Sequence, residues 1–241
     1  MPKKILILVV SSLDPPYDTM LQTSLNTWDS VQVANVETFY YCGFPTVKQH
    51  HEMPSDKIIL FPYKESYANM GYKLLDAFGW ALKQKEFDYI ARVNSSCYVD
   101  KKRLVEYVET LPNEKVFAGA VVPASDVMAS WCWGGSQFLL SKDVVQKVYD
   151  NKHLFRHSEI EDVALSWLVT HCGIDFTDGK ACSINKQANG WLMLTYGGGE
   201  QKEFKDFSEI ANCGEHFYRV KNDPDRSVDT YVMNELFKNL K

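Results

Sequence analysis

The chain has little that would mark a secreted, membrane-bound or nucleic-acid-binding protein. Its six cysteines (Cys42, Cys97, Cys132, Cys172, Cys182 and Cys213) contain no CxxC pair and no metal-ligand spacing. Reduced thiols are therefore expected, and neither a disulfide framework nor a zinc site. The N-terminal apolar run Ile5 to Val10 is far too short to cross a membrane or to form a signal-peptide core, and reads as a buried strand. A soluble, cytoplasmic protein without membrane insertion is expected. There is no excess of positive charge: 26 Lys and Arg against 31 Asp and Glu leave a formal charge of −5. That balance gives no electrostatic case for a nucleic-acid partner, so an anionic ligand would need local basic residues. Glycine and proline are scarce, and no repeat, low-complexity stretch or linker interrupts the chain. With 45% apolar residues in 241, one α/β domain with an ordinary core is expected.

What is present is alternation. Lys4 to Ser11 reads as a strand, and Tyr17 to Trp28 as a helix after the turn at Asp14 to Pro16. Val31 to Val36 and Lys57 to Phe61 read as strands. Gly71, Leu74, Leu75, Phe78, Ala81 and Leu82 follow the three-and-four spacing of a buried helical face between Tyr67 and Lys83. Asp88 to Asn94 is a strand, Asp100 caps a helix over Lys101 to Leu111, and Val116 to Val122 is a further central strand. Helices follow at Asp143 to Asp150 and at Glu159 to Cys172, the latter closed by Gly173. A βαβ succession of this kind predicts a mostly parallel, Rossmann-like sheet flanked by helices. Ligands of such sheets collect at the carboxyl ends of the strands, here Ser11 to Asp14, Phe61 to Tyr67 and Asn94 to Cys97. The pattern is less regular after Pro123. We read 1–122 as a nucleotide-binding half and 123–241 as an acceptor-binding half of a single domain.

Two motifs carry chemistry. SEIEDV, Ser158 to Val163, places paired carboxylates at a helix start, where free backbone N–H groups stabilise negative charge. It follows WCWGGSQFLLSKD, Trp131 to Asp143, whose Gly134 and Gly135 let the backbone pass close to a ligand. An acidic first turn alone is usually a complement to the helix dipole. In this order the two motifs suggest a sugar-transfer site.

The run YANMGYKLLDAFGWALKQKEFDYIARVNSSCYVDKKRL resembles the central block of β-1,3-galactosyltransferase and Fringe-like glycosyltransferases, which adopt the GT-A fold. Asn69, Lys73, Trp80, Tyr98, Val99 and Leu104 fall on that family's positions. WGGSQFLLSKDVVQKV is similar to its Gly-Gly-Tyr-Val-Leu-Ser segment, and EDVALSWLVTHCGI to its Glu-Asp-Val helix. The likeness spans Tyr67 to Ile174, with a weaker match at Leu25 to Trp28. It implies a hexosyltransferase that moves sugar from a nucleotide-diphosphate donor, a UDP-sugar first, to a hydroxyl of a glycan or glycoconjugate acceptor with inversion. Asp162 aligns with the family's general base, and Glu161 is the neighbouring alternative.

The departure lies at Asn94, Ser95 and Ser96, where the family has an acidic triplet that holds a divalent cation against the donor diphosphate. Neutral oxygens bind Mn²⁺ or Mg²⁺ much more weakly than carboxylates do. Three readings compete. In the favoured one the enzyme needs no metal cofactor, and Arg92, Arg219, Lys221 or Arg226 neutralises the diphosphate. In the second, Asn94 or Ser96 with His216 keeps a Mn²⁺ or Mg²⁺ site. In the third, the protein binds sugar or nucleotide-sugar and has lost catalysis. A nucleotidyltransferase could share the first half but would not explain the Gly-Gly strand followed by the Glu-Asp helix.

The remaining donor candidates are Ser11, Asp14, Lys73, Arg92, Asn94, Ser96, Gly134 and Gly135. For Lys73 a solvated helix lysine is the bland reading. Trp131, Trp133 and Trp191 are candidates for stacking on acceptor sugar, although tryptophans are more often core. Gly197 to Gly199 is either a surface turn or a lid. The histidines other than His216 are assigned no role.

Overall fold

The computed structural model describes residues 2–126, 129–196, 199–222 and 225–240, the Ser136 side chain excepted. In chain order it begins β1 (Ile5–Val10), α1 (Tyr17–Asn26), β2 (Val36–Gly43), β3 (Glu52–Ser55), β4 (Ile58–Phe61) and α2 (Met70–Gln84). Then come β5 (Tyr89–Asn94), β6 (Cys97–Val99), α3 (Lys101–Thr110), β7 (Phe117–Val122), β8 (Trp131–Ser141), α4 (Lys142–Asp150) and α5 (Glu161–His171). The remainder is β9 (Phe176–Asp178), β10 (Cys182–Lys186), β11 (Leu192–Tyr196), β12 (Gln201–Phe204), α6 (Phe207–Ile210), β13 (Phe217–Val220) and α7 (Ser227–Asn239).

β1 is buried on both faces, which is why it reads as an unbroken apolar run. Its odd residues Ile5, Ile7 and Val9 enter one core and its even residues Leu6, Leu8 and Val10 the other. The first core lies against the second sheet and α7. The second lies beneath α2, α4 and α5. Asp100 caps α3 as expected, its carboxylate accepting from the N–H groups of Lys102 and Arg103.

The large sheet has the order β3-β4-β2-β1-β5-β8-β7-β9. β4, β2, β1 and β5 are parallel. β3 is antiparallel to β4, and β8 is antiparallel to both β5 and β7. The sheet is mixed, which corrects the expectation of a mostly parallel one. β8 returns beside β7 directly, and an antiparallel neighbour needs no helical crossover. The expected strand at Val31 to Val36 is also displaced. Asn35 takes a positive φ of 62°, and β2 starts at Val36 with the buried β-formers Phe39, Tyr40 and Tyr41 behind it.

A second sheet, β12-β11-β10-β13-β6, takes its edge strand from the segment just after β5. The chain therefore leaves the carboxyl end of β5, turns at Asn94 to Ser96, and enters the other sheet. That turn is where the two sheets meet. Among the described residues no helix is long and apolar enough to cross a membrane.

Candidate active site

The site is built around a bulge in β8. Along β7, Gly119 faces Phe138, but the next residue, Ala120, faces Trp133. Residues 134–137 of β8 are thus extra to this ladder and arch out of it. Gly134 and Gly135 lie inside an eleven-residue strand, not at a turn before a short one. The arch presses Gly134 onto the first turn of α5. A Cβ there would stand 2.8 Å from Cβ of Asp162, and one on Gly135 would overlap the Trp133 indole. Only glycine lets backbone and carboxylate approach this closely.

Among the described residues, Asp162 accepts hydrogen bonds from backbone N–H groups only. The Gly134 N–H donates to Oδ2 at 3.0 Å and the Val163 N–H to Oδ1 at 2.9 Å. Burial pushes its pKa up, against the lowering effect of these two bonds and of Arg92. Each oxygen keeps a lone pair, so the group can still take a proton. A half-buried carboxylate with a raised pKa suits a general base.

Glu161 is arranged differently, which corrects its place as a catalytic alternative. Its Oε2 accepts from Nη2 of Arg92, and both side chains are buried. Arg92 also donates to the Gly134 carbonyl at 2.8 Å and to Oδ1 of Asn94 at 3.3 Å. Arg92 is therefore an internal brace between β5, the arch and α5, not a free phosphate clamp. Lys73 is not a solvated helix lysine. It is 1% exposed and paired with Glu65, which also accepts the Gly43 N–H. Glu65 lies in a polar stretch after β4 and gave no signal in the sequence. Only its reach back to β2 and α2 reveals it.

The Asn94 to Ser96 turn is bonded at every position. Nδ2 of Asn94 donates to the carbonyls of Gly134 and Gly135 at 2.9 and 3.2 Å. The Ser95 N–H donates to the Val10 carbonyl at 3.1 Å, tying the turn to the end of β1. Oγ of Ser96 accepts from Nη1 of Arg219 at 2.5 Å. The residues thus brought together are Asn94, Ser96, Arg219, Gly134, Gly135, Arg92, Glu161 and Asp162. Ser11 is buried at the end of β1, and Asp14 is exposed just beyond it. Nε of Arg219 is buried and has no partner among the described residues.

His216 does not join them. The Asp100 N–H donates to the His216 carbonyl and the Val220 N–H to the Ser96 carbonyl. The histidine is thus four residues along β13 from the position opposite Ser96, about 13 Å at strand rise. Its ring stacks on Tyr107 and its Nε2 lies 2.7 Å from Nε2 of Gln137. A divalent ion would also meet the Arg219 guanidinium on Ser96. These residues do not fit a metal, and among the described residues no cluster of three His, Cys, Asp or Glu could hold one.

Burial, with a smaller contribution from Lys180, lowers the His216 pKa to about 3. A folded-state value below the ordinary 6.5 means the neutral ring stabilises the protein above pH 6.5. That stabilisation is lost as pH falls toward 3. Denaturant titrations between pH 7 and 4 are expected to show the decline, and His216→Gln to flatten it. Identical slopes in the two proteins would remove His216 as the cause.

The outlying candidates separate. Arg226 is committed to Asp229 at 2.6 Å, beside Met20 of α1. Lys221 is exposed just past β13. Trp133 lies over the arch, and Trp131 is half-buried at the start of β8. Trp191 is 37% exposed beside the β10–β11 turn. β10 runs parallel to β13, so this turn is at the Ser96 end of the second sheet. Gly197 and Gly198 of the proposed lid lie outside the described residues. Among the described residues no cysteine forms a disulfide.

Residues 46–134 match the model of the family described as Galactosyltransferase. The match covers rather more than a third of the chain, from before β3 to the arch, and stops short of Asp162 and Arg219. It overlaps the resembling block from Tyr67 onward and supports a galactosyltransferase-family relationship, and with it glycosyltransferase chemistry in general. The comparison with curated proteins gave no match.

Proposed function

We propose that the chain is an inverting hexosyltransferase. It would take sugar from a nucleotide-diphosphate donor, a UDP-sugar first, and pass it to a hydroxyl of a glycan or glycoconjugate. The observation that carries this reading is Asp162, fixed by the Gly134 N–H beside the turn that ends β5. The family match over the preceding stretch supports the same chemistry.

In this reading the donor lies across the ends of β1 and β5, with its nucleoside near Ser11 to Asp14. Asp162 removes the proton of the acceptor hydroxyl. That oxygen forms a bond to the anomeric carbon as the bond to the diphosphate breaks on the opposite face, and the diphosphate leaves with the electron pair. Charge building on the leaving group is met by Arg219, which takes the place a cation holds in the resembling family. Trp131, Trp133 and Trp191 are the acceptor contacts in this scheme.

Donor turnover tests the function: wild type and a panel of UDP-, GDP- and dTDP-sugars, with released nucleotide as the readout. Absence of release with every donor and a range of glycans, but with a donor-dependent thermal shift, would favour a binding protein. The cationic site has its own test. Donor affinity measured calorimetrically is expected to be the same with and without chelator. Arg219→Ala is expected to weaken it by about 1.5–3 kcal/mol, as for loss of a charge-assisted phosphate bond. Affinity abolished by chelator and indifferent to Arg219 would overturn the metal-free scheme.

A further inference from the structure

In the resembling family the first position of the triplet is an acid. Here it is Asn94, and its amide is oriented by its neighbours. Oδ1 faces the Arg92 guanidinium, so Nδ2 is left to face two carbonyls, those of Gly134 and Gly135. Those carbonyls belong to the arch whose Gly134 N–H holds Asp162. We propose that Asn94 is a positioning residue for Asp162: it pins the arch from the carbonyl side so that the Gly134 N–H stays on the carboxylate. The proposal rests on the reading of Asp162 as the base.

The physical argument is geometric. An arch of residues outside the β7 ladder has lost strand partners, and its buried carbonyls need donors from elsewhere. Arg92 supplies one to Gly134, and Asn94 supplies one to each glycine. The neutral amide is specific to this task. An aspartate in its place would keep an acceptor toward Arg92 but would turn an anionic oxygen toward two carbonyl oxygens. It would also add a third carboxylate beside Glu161 and Asp162. The change from acid to amide is thus coupled to the arch and is more than the loss of a metal ligand. Among the described residues, the titratable groups that interact electrostatically with Asp162 are Arg92 from β5, Glu161 on its own helix and the Cys132 thiol on β8. Lys73 of α2 acts on Glu161.

Asp162 loses a donor when the arch loosens, so its pKa rises. The test is a ¹³C titration of the Asp162 carboxyl, assigned with Asp162→Asn, in wild type, Asn94→Ala and Asn94→Asp. Asn94→Ala is expected to raise the Asp162 pKa by about 0.5–1 unit, the size of a partly lost charged hydrogen bond. In kinetics the acid limb of the kcat profile is expected to move up equally, with kcat down about tenfold and donor KM unchanged. Asn94→Asp is expected to lose more than Asn94→Ala, and added Mn²⁺ not to restore it. A folded Asn94→Ala with an unshifted Asp162 titration overturns the proposal, as does an Asn94→Asp that gains metal-dependent transfer. The titration needs no substrate, so it judges the brace even if no donor is turned over. Turnover judges the proposed function separately.

Discussion

Asp162→Asn is expected to bind donor as wild type does and to transfer sugar about a hundredfold more slowly, or worse. The substitution keeps size and shape, and the amide oxygen still accepts from either Gly134 or Val163. It removes proton affinity, which is what the step needs. Its amide nitrogen faces the remaining N–H group, a local cost of about 1–3 kcal/mol, so melting temperature must be read beside rate. The expected signature is a fall in kcat with donor Kd unchanged. Transfer near the wild-type rate would remove Asp162 from the mechanism. The bet would not then pass to Glu161, whose carboxylate is closed off by Arg92. It would pass to Glu159, half-exposed and paired only loosely with Arg156 at 3.2 Å.

Much of this frame could be read along the chain because local pattern dictated it. β1 announces itself by an unbroken apolar run, α2 by its buried face, and α3 by Asp100. Asp162 was legible because a helix start is a local feature. What was hidden depends on who sits beside whom. The antiparallel insertion of β8 and the register slip that raises the arch are properties of two strands together, and period-two patterning is blind to both. Ser96 and Arg219 were both singled out, but their bond joins residues 123 apart in sequence and exists because β13 pairs with β6. His216 shows the reverse case. A motif placed it near a metal, while strand register sets it four residues away.

Arg92→Met is expected to destabilise the fold more than any other single change considered for this site, by about 3–5 kcal/mol. Removing one partner of a buried ion pair leaves the other charge uncompensated. Arg92 is 1% exposed and Glu161 is 6% exposed. One oxygen of Glu161 already lacks a partner among the described residues. The other would lose its only donor among the described residues, with Asp162 next to it in the chain. At this chain length such a loss corresponds to a fall in Tm of about 6–20 °C. The sign of its pH dependence follows from Glu161. Burial raises its pKa from the ordinary 4.5, and Arg92 is the chief opposing influence. Without Arg92 the folded-state value rises further. The variant then has its best relative stability below pH 4.5, where the carboxyl is protonated in both states, and loses it as pH climbs through the raised value. The double variant Arg92→Met with Glu161→Gln leaves neither charge and is expected to recover a large part of the loss, a coupling that a double-mutant cycle would read directly. Denaturant unfolding of the four proteins at pH 4.5 and pH 8 decides the matter. A single variant within about 1 kcal/mol of wild type at pH 8 would mean that the pair is solvated, and the brace between β5, the arch and α5 would then have to rest on the carbonyl bonds of Asn94 alone.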